Sequence, residues 1–366
     1  MMKSIIIIAG GSAGHVYPAL DLIKQLNLQK KWRIILVTDA RGKALLPHDA
    51  DFEIYLSLMP RYHGRRSVFN PLFWFKLIRE AITARAMMYK HSVILSMSFG
   101  GFLAIPWILM AKLIRVQTCL HEQNAKPGKA NALLLKWVDH VYTVFKNPII
   151  KSNSRQTCVW TGFATPKKAE PISAEEARTS LDLDRDKKTL LVFGGSQGAL
   201  ALNECIANFM QLFGHEFAHN WQCLQLTGIN KLTTTNAVTG MKWVRKEYLD
   251  NMNLAYSASD LAVTRAGAST IHELAYFELP SLLVPYPHAG QHQMHNAEAV
   301  SKAPLFDVID QKKLTAEIIR NSMLQLGQVG KDGISEFSVI KFDEESSLIA
   351  RDLIKFINQS METQNV

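Results

Sequence analysis

The sequence has little cysteine and spends it without pattern. Four residues, Cys119, Cys158, Cys205 and Cys223, are scattered over 366 positions with no C-x-x-C pair. Neither a zinc site nor a disulfide framework is indicated, and a reducing compartment fits best. Long apolar runs are missing too. No stretch reaches the ~18 apolar residues of a membrane span, and Gly101–Ala111 comes nearest. The opening, Lys3 and then Ile5–Ala9, lacks the ~7–15-residue apolar core of an export signal. The chain is therefore expected neither to be exported nor to cross a bilayer. Acidic residues are scarce in the first part. Residues 1–160 carry 22 Lys and Arg against 8 Asp and Glu, a balance of +14, whereas the remainder is −5. That asymmetry predicts an anionic partner for the first part alone, nucleic acid or an anionic membrane.

What is present is an α/β pattern, long enough for two domains. Ser4–Ala9 reads as a strand running into Gly10-Gly11-Ser12-Ala13-Gly14-His15, then a helix over Pro18–Leu28 and a strand over Arg33–Thr38. This is a βαβ unit with a parallel sheet. Thr189–Phe193, Gly194-Gly195-Ser196-Gln197-Gly198 and a helix to Leu212 repeat the device about 184 residues later. Two Rossmann-like halves are implied. A glycine turn opening a helix favours a phosphate group, because free N–H groups and the helix dipole point there. Neither turn has the G-x-G-x-x-G spacing of a dinucleotide fingerprint. His15 is either a solvated loop residue or a proton carrier near neutral pH.

The stretch 257–297 concentrates candidate ligand groups. A strand (Leu261–Arg265), a turn through Ser269, a helix over Thr270–Phe277 and a strand over Ser281–Pro285 precede a polar loop with Gln291, Gln293 and Asn296. Glu273 has two readings. It could take a ribose diol, or close a capping box with Thr270. Asp182-Leu183-Asp184 reads as a charged turn rather than a metal site.

Residues 57–70 form a basic loop before a helix over Pro71–Tyr89. That helix begins with Leu72, Phe73, Trp74, Phe75, Lys76 and Arg79. It is either a core helix or an interfacial membrane patch, and its cations among aromatic bulk favour the membrane over nucleic acid. Trp107–Arg115 and Leu133–Trp137 share this character. A strand over Ser92–Met97 ends in Phe99-Gly100-Gly101-Phe102, and another over Gln117–Leu120 leads into His121-Glu122-Gln123-Asn124. Strand ends of this kind carry ligand residues in open α/β sheets. An amphipathic helix over Phe342–Gln359 and a polar tail from Ser360 close the chain.

With these pieces in place the chain resembles the MurG family. The matching segments are GGSAGHVYPAL (10–20), HEQNAKPGKAN (121–131), GGSQGALALN (194–203), EYLDNM (247–252), TRAGASTIHEL (264–274) and HQMHNA (292–297). The resemblance spans about residues 1–355 and implies a GT-B fold, two Rossmann-like domains with parallel sheets facing a cleft. The implied parts are an acceptor- and membrane-binding domain (1–162), a UDP-sugar domain (163–341), a returning helix (342–359) and a tail (360–366). It implies transfer of N-acetylglucosamine from its UDP sugar to lipid I, the undecaprenyl-pyrophosphoryl acceptor, with inversion and with neither metal nor cofactor. It also implies peripheral attachment to the cytoplasmic face of the bacterial inner membrane, no nucleic acid, and a place among other cell-wall synthesis proteins.

Residue by residue, the resemblance assigns uracil to the backbone near Leu249 and ribose to Glu273. The diphosphate falls to Ala268, Ser269, Ser196 and Gln197, and the sugar hydroxyls to Gln293 and Asn296. It assigns the acceptor to Gly11, Ser12, Ala13, Gly14, His121 and Asn124. His15 is the implied base, with Glu122 second. The chain departs from the family at Ala13 (Gly is usual), Phe102 (Tyr is common) and Gly290 (often acidic). It also reads Phe163-Ala164-Thr165-Pro166 where Asn-Pro-x-Arg is usual, leaving Lys167 or Lys168 as substitutes for the arginine. Rival readings are another GT-B transferase, a UDP-sugar epimerase, a non-catalytic UDP-sugar binder and, weakest, a dehydrogenase.

Overall fold

The structure, a computed structural model, describes residues 2–60, 62, 67, 69–146, 148, 150, 156–164, 172–195, 198–231, 240–287, 291–328, 342–343 and 348–364. The chain divides into two compact units, 1–166 with 341–366, and 167–340.

In the first unit, β1 (Ser4–Ile8), β2 (Arg33–Thr38), β3 (Glu53–Leu56), β4 (Val93–Ser98), β5 (Gln117–Glu122), β6 (His140–Thr143) and β7 (Thr157–Trp160) form one sheet. Their order is β3-β2-β1-β4-β5-β6-β7 and every pairing is parallel. Its helices are α1 (Ala13–Leu28), α2 (Ala40–Lys43), α3 (Pro71–Lys90), α4 (Ala104–Leu113) and α5 (Lys129–Leu134). A parallel sheet covered on both faces needs strands that are apolar on both sides. β1 meets this with four consecutive isoleucines, all buried. Ile6 and Ile8 pack with Met88 and Trp107, while Ile5 and Ile7 pack with Leu22, Ile23 and Leu26. Each such side chain contributes roughly 1.5–3 kcal/mol before the entropy cost.

The last helix, α12 (Leu348–Gln364), seals the second of these faces. Ala350, Leu353 and Ile357, spaced one turn apart, join the core of Ile5 and Ile7. Tyr142 Oη donates to Asp352 Oδ2 at 3.0 Å. This end differs from the sequence expectation. Phe342–Asp343 is extended (β15) and pairs parallel with Phe163–Ala164 (β8), so the helix starts later. It also runs past Ser360 to Gln364, through residues such as Met361 and Glu362 that extend a helix readily.

In the second unit, β9 (Lys188–Phe193), β10 (Trp221–Leu226), β11 (Trp243–Lys246), β12 (Leu261–Thr264), β13 (Ser281–Leu283) and β14 (Phe306–Val308) pair in parallel, in the order β11-β10-β9-β12-β13-β14. Its helices are α6 (Ala174–Ser180), α7 (Leu200–Phe217), α8 (Met252–Ala258), α9 (Ala268–Tyr276), α10 (His292–Val300) and α11 (Ala316–Gln325). Strand order reverses between β1 and β4 in one sheet and between β9 and β12 in the other. Such a switch point opens a crevice beyond the carboxyl ends of the strands.

Three further expectations are corrected. Helix α1 begins at Ala13 rather than Pro18, because Ser12 takes the extended cap conformation and Pro18 sits inside the helix. Gln293 and Asn296 lie on α10 rather than in a loop. The helix is mostly polar, and among its apolar residues only Ala297 and Val300 are buried, so its period is hidden. Of the expected membrane patch, Phe73 is 6 % exposed and belongs to the inner face of α3, with Ala84 and Met88. Trp107 is fully buried as well, its Nε1 donating to Glu80 Oε1 at 3.2 Å. Leu72, Trp74, Phe75, Ile78 and Ile82 remain exposed. Among the described residues no helix is long and apolar enough to cross a membrane.

Candidate active site

At the β1/β4 switch point two glycine turns meet. Gly100 and Gly101 follow β4 with φ of +113° and +92°, values that favour glycine. A Cβ on Gly100 would lie 2.8 Å from His15 Nε2, and one on Gly101 2.9 Å from Gly10 Cα. The bare turn is what admits the imidazole. His15 Nδ1 faces the other way and meets Ser12 Oγ at 2.9 Å. Ser12 thus spends its hydroxyl on His15 and makes no side-chain cap for α1. Burial pushes the His15 pKa down to about 4, Arg41 adds to the fall, and a backbone hydrogen bond to Gly10 and the charge of Asp39 oppose it. The ring keeps some accessible surface and is neutral at pH 7.

His121, the penultimate residue of β5, lies beside it and is 2 % exposed. Gln123 Nε2 contacts both the Phe99 carbonyl, at 3.0 Å, and His121 Nδ1, at 3.0 Å. A carbonyl only accepts, so the amide nitrogen donates, Nδ1 accepts, and the His121 proton sits on Nε2. That Nε2 is buried and has no hydrogen-bond partner among the described residues. Burial, then repulsion from His15, lowers the His121 pKa to about 3.

Glu122 faces differently. Its Oε1 accepts from Asn124 N (2.9 Å) and Asn124 Nδ2 (3.1 Å), and its Oε2 from Asn131 Nδ2 (2.7 Å) and Gly128 N (3.3 Å). Four donors fold the 122–131 segment around one buried carboxyl, whose pKa burial raises against their pull. Asp39, where a dinucleotide fold would read ribose, is also engaged. It accepts from Arg41 N, Gly42 N and Arg41 Nη2. A Cβ on Gly11 would meet its Oδ1 at 2.0 Å.

The β9/β12 switch point uses the same device with different side chains. Gly267 is the N-cap of α9, so Ala268 and Ser269 present N–H groups with no acceptor within the helix. The capping-box reading of Glu273 is overturned, since Thr270 lies inside the helix and Glu273 accepts from Tyr256 Oη at 2.5 Å. Burial raises its pKa and the phenol pulls it back. Asn296 is buried and its Nδ2 donates to Ala266 O at 3.3 Å, bracing the turn before α9. Gln293 Oε1 accepts from Tyr286 N at 2.8 Å. Leu249 is half-buried in the segment between β11 and α8. Ser196, Gln197, Lys167, Lys168 and Gly290 lie outside the described residues. Gly198 packs against Thr227 so tightly that a Cβ would be 2.1 Å from its carbonyl oxygen.

Reasoning from sequence missed the parts played by Gly100, Asn131 and Tyr256. A double glycine after a strand was a usable signal for the first. The partners of Glu122 and Glu273 lie 9 and 17 residues away on other elements, with no local mark. Phe102 stacks on Tyr62 at 3.9 Å between ring centroids.

Two parallel sheets, each with a glycine turn and a helix N-terminus at its switch point, define the class: a two-domain α/β protein of the GT-B fold. The family models of the glycosyltransferase family 28 N-terminal domain and C-terminal domain match residues 5–143 and 189–338. The chain belongs to glycosyltransferase family 28. It is 33% identical over 344 residues, 89% of the chain and 91% of the relative, to the UDP-N-acetylglucosamine--N-acetylmuramyl-(pentapeptide) pyrophosphoryl-undecaprenol N-acetylglucosamine transferase of Halothermothrix orenii. The protein of the same name from Desulforamulus reducens is 32% identical over 85% of the chain and 87% of its own length. Among solved structures, Acinetobacter baumannii MurG aligns with a TM-score of 0.72 and 26% identity, covering 90% of this chain and 93% of that one. A UDP complex of Staphylococcus aureus MnaA shares the fold alone, at 15% identity and a TM-score of 0.66 over 98% of this chain and 97% of that one.

Proposed function

We propose that this protein transfers N-acetylglucosamine from UDP-N-acetylglucosamine to the muramoyl 4-hydroxyl of lipid I, giving lipid II for peptidoglycan. The observation that carries the mechanism is the neutral imidazole of His15, held by Ser12 at Nδ1 and set against the Gly100 turn at Nε2. In the proposed step the acceptor oxygen attacks the anomeric carbon and its proton passes to His15 Nε2. The bond to the UDP oxygen breaks on the opposite face, inverting the centre. A pKa of about 4 by itself suits a base poorly. The acceptor diphosphate, seated on Gly11–Gly14 at the start of α1, would raise it by placing anionic charge nearby.

The donor side rests on α9. Ala268 and Ser269 N–H groups and the helix dipole would meet the leaving diphosphate, which lets the step proceed without a metal. Glu273 would take the ribose, the Leu249 backbone the uracil, and Gln293 and Asn296 the sugar hydroxyls. Both oxygens of Glu122 already hold donors, so its proposed work is to shape the acceptor segment around His121 and Asn124.

The exposed face of α3, Leu72, Trp74, Phe75, Ile78 and Ile82 with Lys76 and Arg79 close by in sequence, supports peripheral attachment to an anionic membrane carrying the acceptor. The cytoplasmic face of the inner membrane is the proposed location, and other cell-wall synthesis proteins are proposed neighbours.

The test is UDP release from UDP-N-acetylglucosamine in detergent with EDTA, with and without a lipid I analogue. Release that needs the analogue and persists in EDTA supports the reading. UDP-sugar binding without release points to a non-catalytic binder.

A further inference from the structure

The donor-side carboxyl has a partner that no motif announces. Tyr256, on α8, is 2 % exposed, and its Oη donates to Glu273 Oε2 at 2.5 Å. Among the described residues it is the sole hydrogen-bond partner of that carboxyl. The ring is held from two sides. Phe193, the last residue of β9, meets it edge-on at 5.9 Å, and Phe277, just beyond α9, packs at 5.2 Å. The phenol therefore has little room to swing. Its bond joins two helices, but it ends on a carboxyl that keeps accessible surface and one oxygen unengaged. A tie between helices does not require that.

We propose that Tyr256 is a positioning residue for nucleotide recognition: by holding Glu273 Oε2 it aims Oε1 at the ribose diol of the UDP sugar. This rests on the ribose reading given above. An unheld Glu side chain would lose rotamer freedom each time a nucleotide bound, and the phenol removes that cost in advance. Its donated hydrogen bond also favours the ionised carboxyl, the form that accepts from hydroxyls, in a place where burial works against ionisation. The segment from Leu249 to Tyr256 then sets both the uracil contact and, through Glu273, the ribose contact.

The experiment is calorimetric titration of the full chain with UDP and with 2′-deoxy-UDP. The variants are Tyr256→Phe, Glu273→Gln and Glu273→Asp. The unaltered protein is expected to prefer UDP by about ten- to hundredfold, as for hydrogen bonds to a charged group. Tyr256→Phe keeps the ring and its packing, yet should bring that ratio near unity. Glu273→Asp draws the carboxyl away from an intact Tyr256 and should do the same. A ratio unchanged in Tyr256→Phe but lost in Glu273→Gln would overturn the proposal and leave the ribose reading standing. A ratio unchanged in all three would bring down the ribose reading and the proposal with it.

Discussion

The two switch points use one backbone device for two kinds of chemistry. Each has a strand, glycines and a helix N-terminus. The first adds imidazoles kept neutral by burial, His15 at about 4 and His121 at about 3. The second adds a carboxyl, Glu273, tied to a phenol. Even the glycines differ. Gly100 is packed against His15, whereas a Cβ on Gly195, at φ of +79°, would meet no atom of the described residues within 4 Å. The device leaves free helix N–H groups at both, which suit an anion. In the reading proposed above, the side chains at neighbouring strand and helix ends decide which seat takes the reacting hydroxyl and which reads the nucleotide.

The sharpest way to break that comparison is His15→Ala. If His15 is the base proposed above, its removal is expected to lower kcat by about 10²–10⁴ and to leave UDP affinity, measured by calorimetry, as it was. An equal fall in UDP affinity would show that the two sites are not divided as described.

Next in size is a pH effect on stability that both units share. His121 and His272 are 2 % and 3 % exposed, with burial lowering their pKa values to about 3 and about 4. At pH above 6.5 both states of each are neutral and the native state keeps its full stability. As pH falls from 6.5 towards 4 the unfolded chain takes up protons that the folded one refuses, so stability drops. The raised carboxyls of Glu122 and Glu273 act in the opposite sense, since the folded state protonates them first. A net loss on the order of 3 kcal/mol is expected in urea melts between pH 7 and 4. Replacing His121 and His272 with Phe should flatten the slope. A slope unaltered in that double variant would assign the loss to other groups.

The glycine pair gives a smaller and cleaner contrast. Gly100→Ala combines a positive φ with a collision and should cost about 2–3 kcal/mol, against ~1 kcal/mol for Gly195→Ala, where only the backbone conformation resists. Equal costs by denaturant melts would mean that His15 yields freely to the added methyl.

What could be read in advance follows the range of the interaction. The parallel strands, the repeated glycines after strands and the polar segments at strand ends are local patterns, and they are legible as such. The Gln293–Asn296 helix was not, because a mostly polar helix carries almost no apolar period. Glu273 was ambiguous for a related reason: T-x-x-E satisfies a capping box on paper, and only the helix start at Ala268 rules it out. The four-donor cage of Glu122 and the phenol on Glu273 join distant elements, which a local reading cannot pair. Phe73 and Trp107 show the same limit. Their neighbours in sequence are as apolar as they are, and facing inward or outward is settled by a helix face.

That last distinction supplies the smallest prediction. If α3 lies on an anionic membrane, binding to vesicles of anionic lipid should weaken in Phe75→Ser with Ile82→Ser, both 63–64 % exposed, and in Arg79→Glu. Each basic residue near such a surface contributes on the order of 1 kcal/mol, about fivefold in partitioning. The loss on removing Arg79 should shrink with added salt, while the loss from the apolar pair should not. Trp107→Ala belongs to the other side of the divide. It empties a buried site and leaves Glu80 without the indole donor, so it should lower the melting temperature before it changes partitioning. Vesicle sedimentation of the folded variants separates the two. Binding that survives the exposed pair but fails in Trp107→Ala would place the contact surface elsewhere than α3.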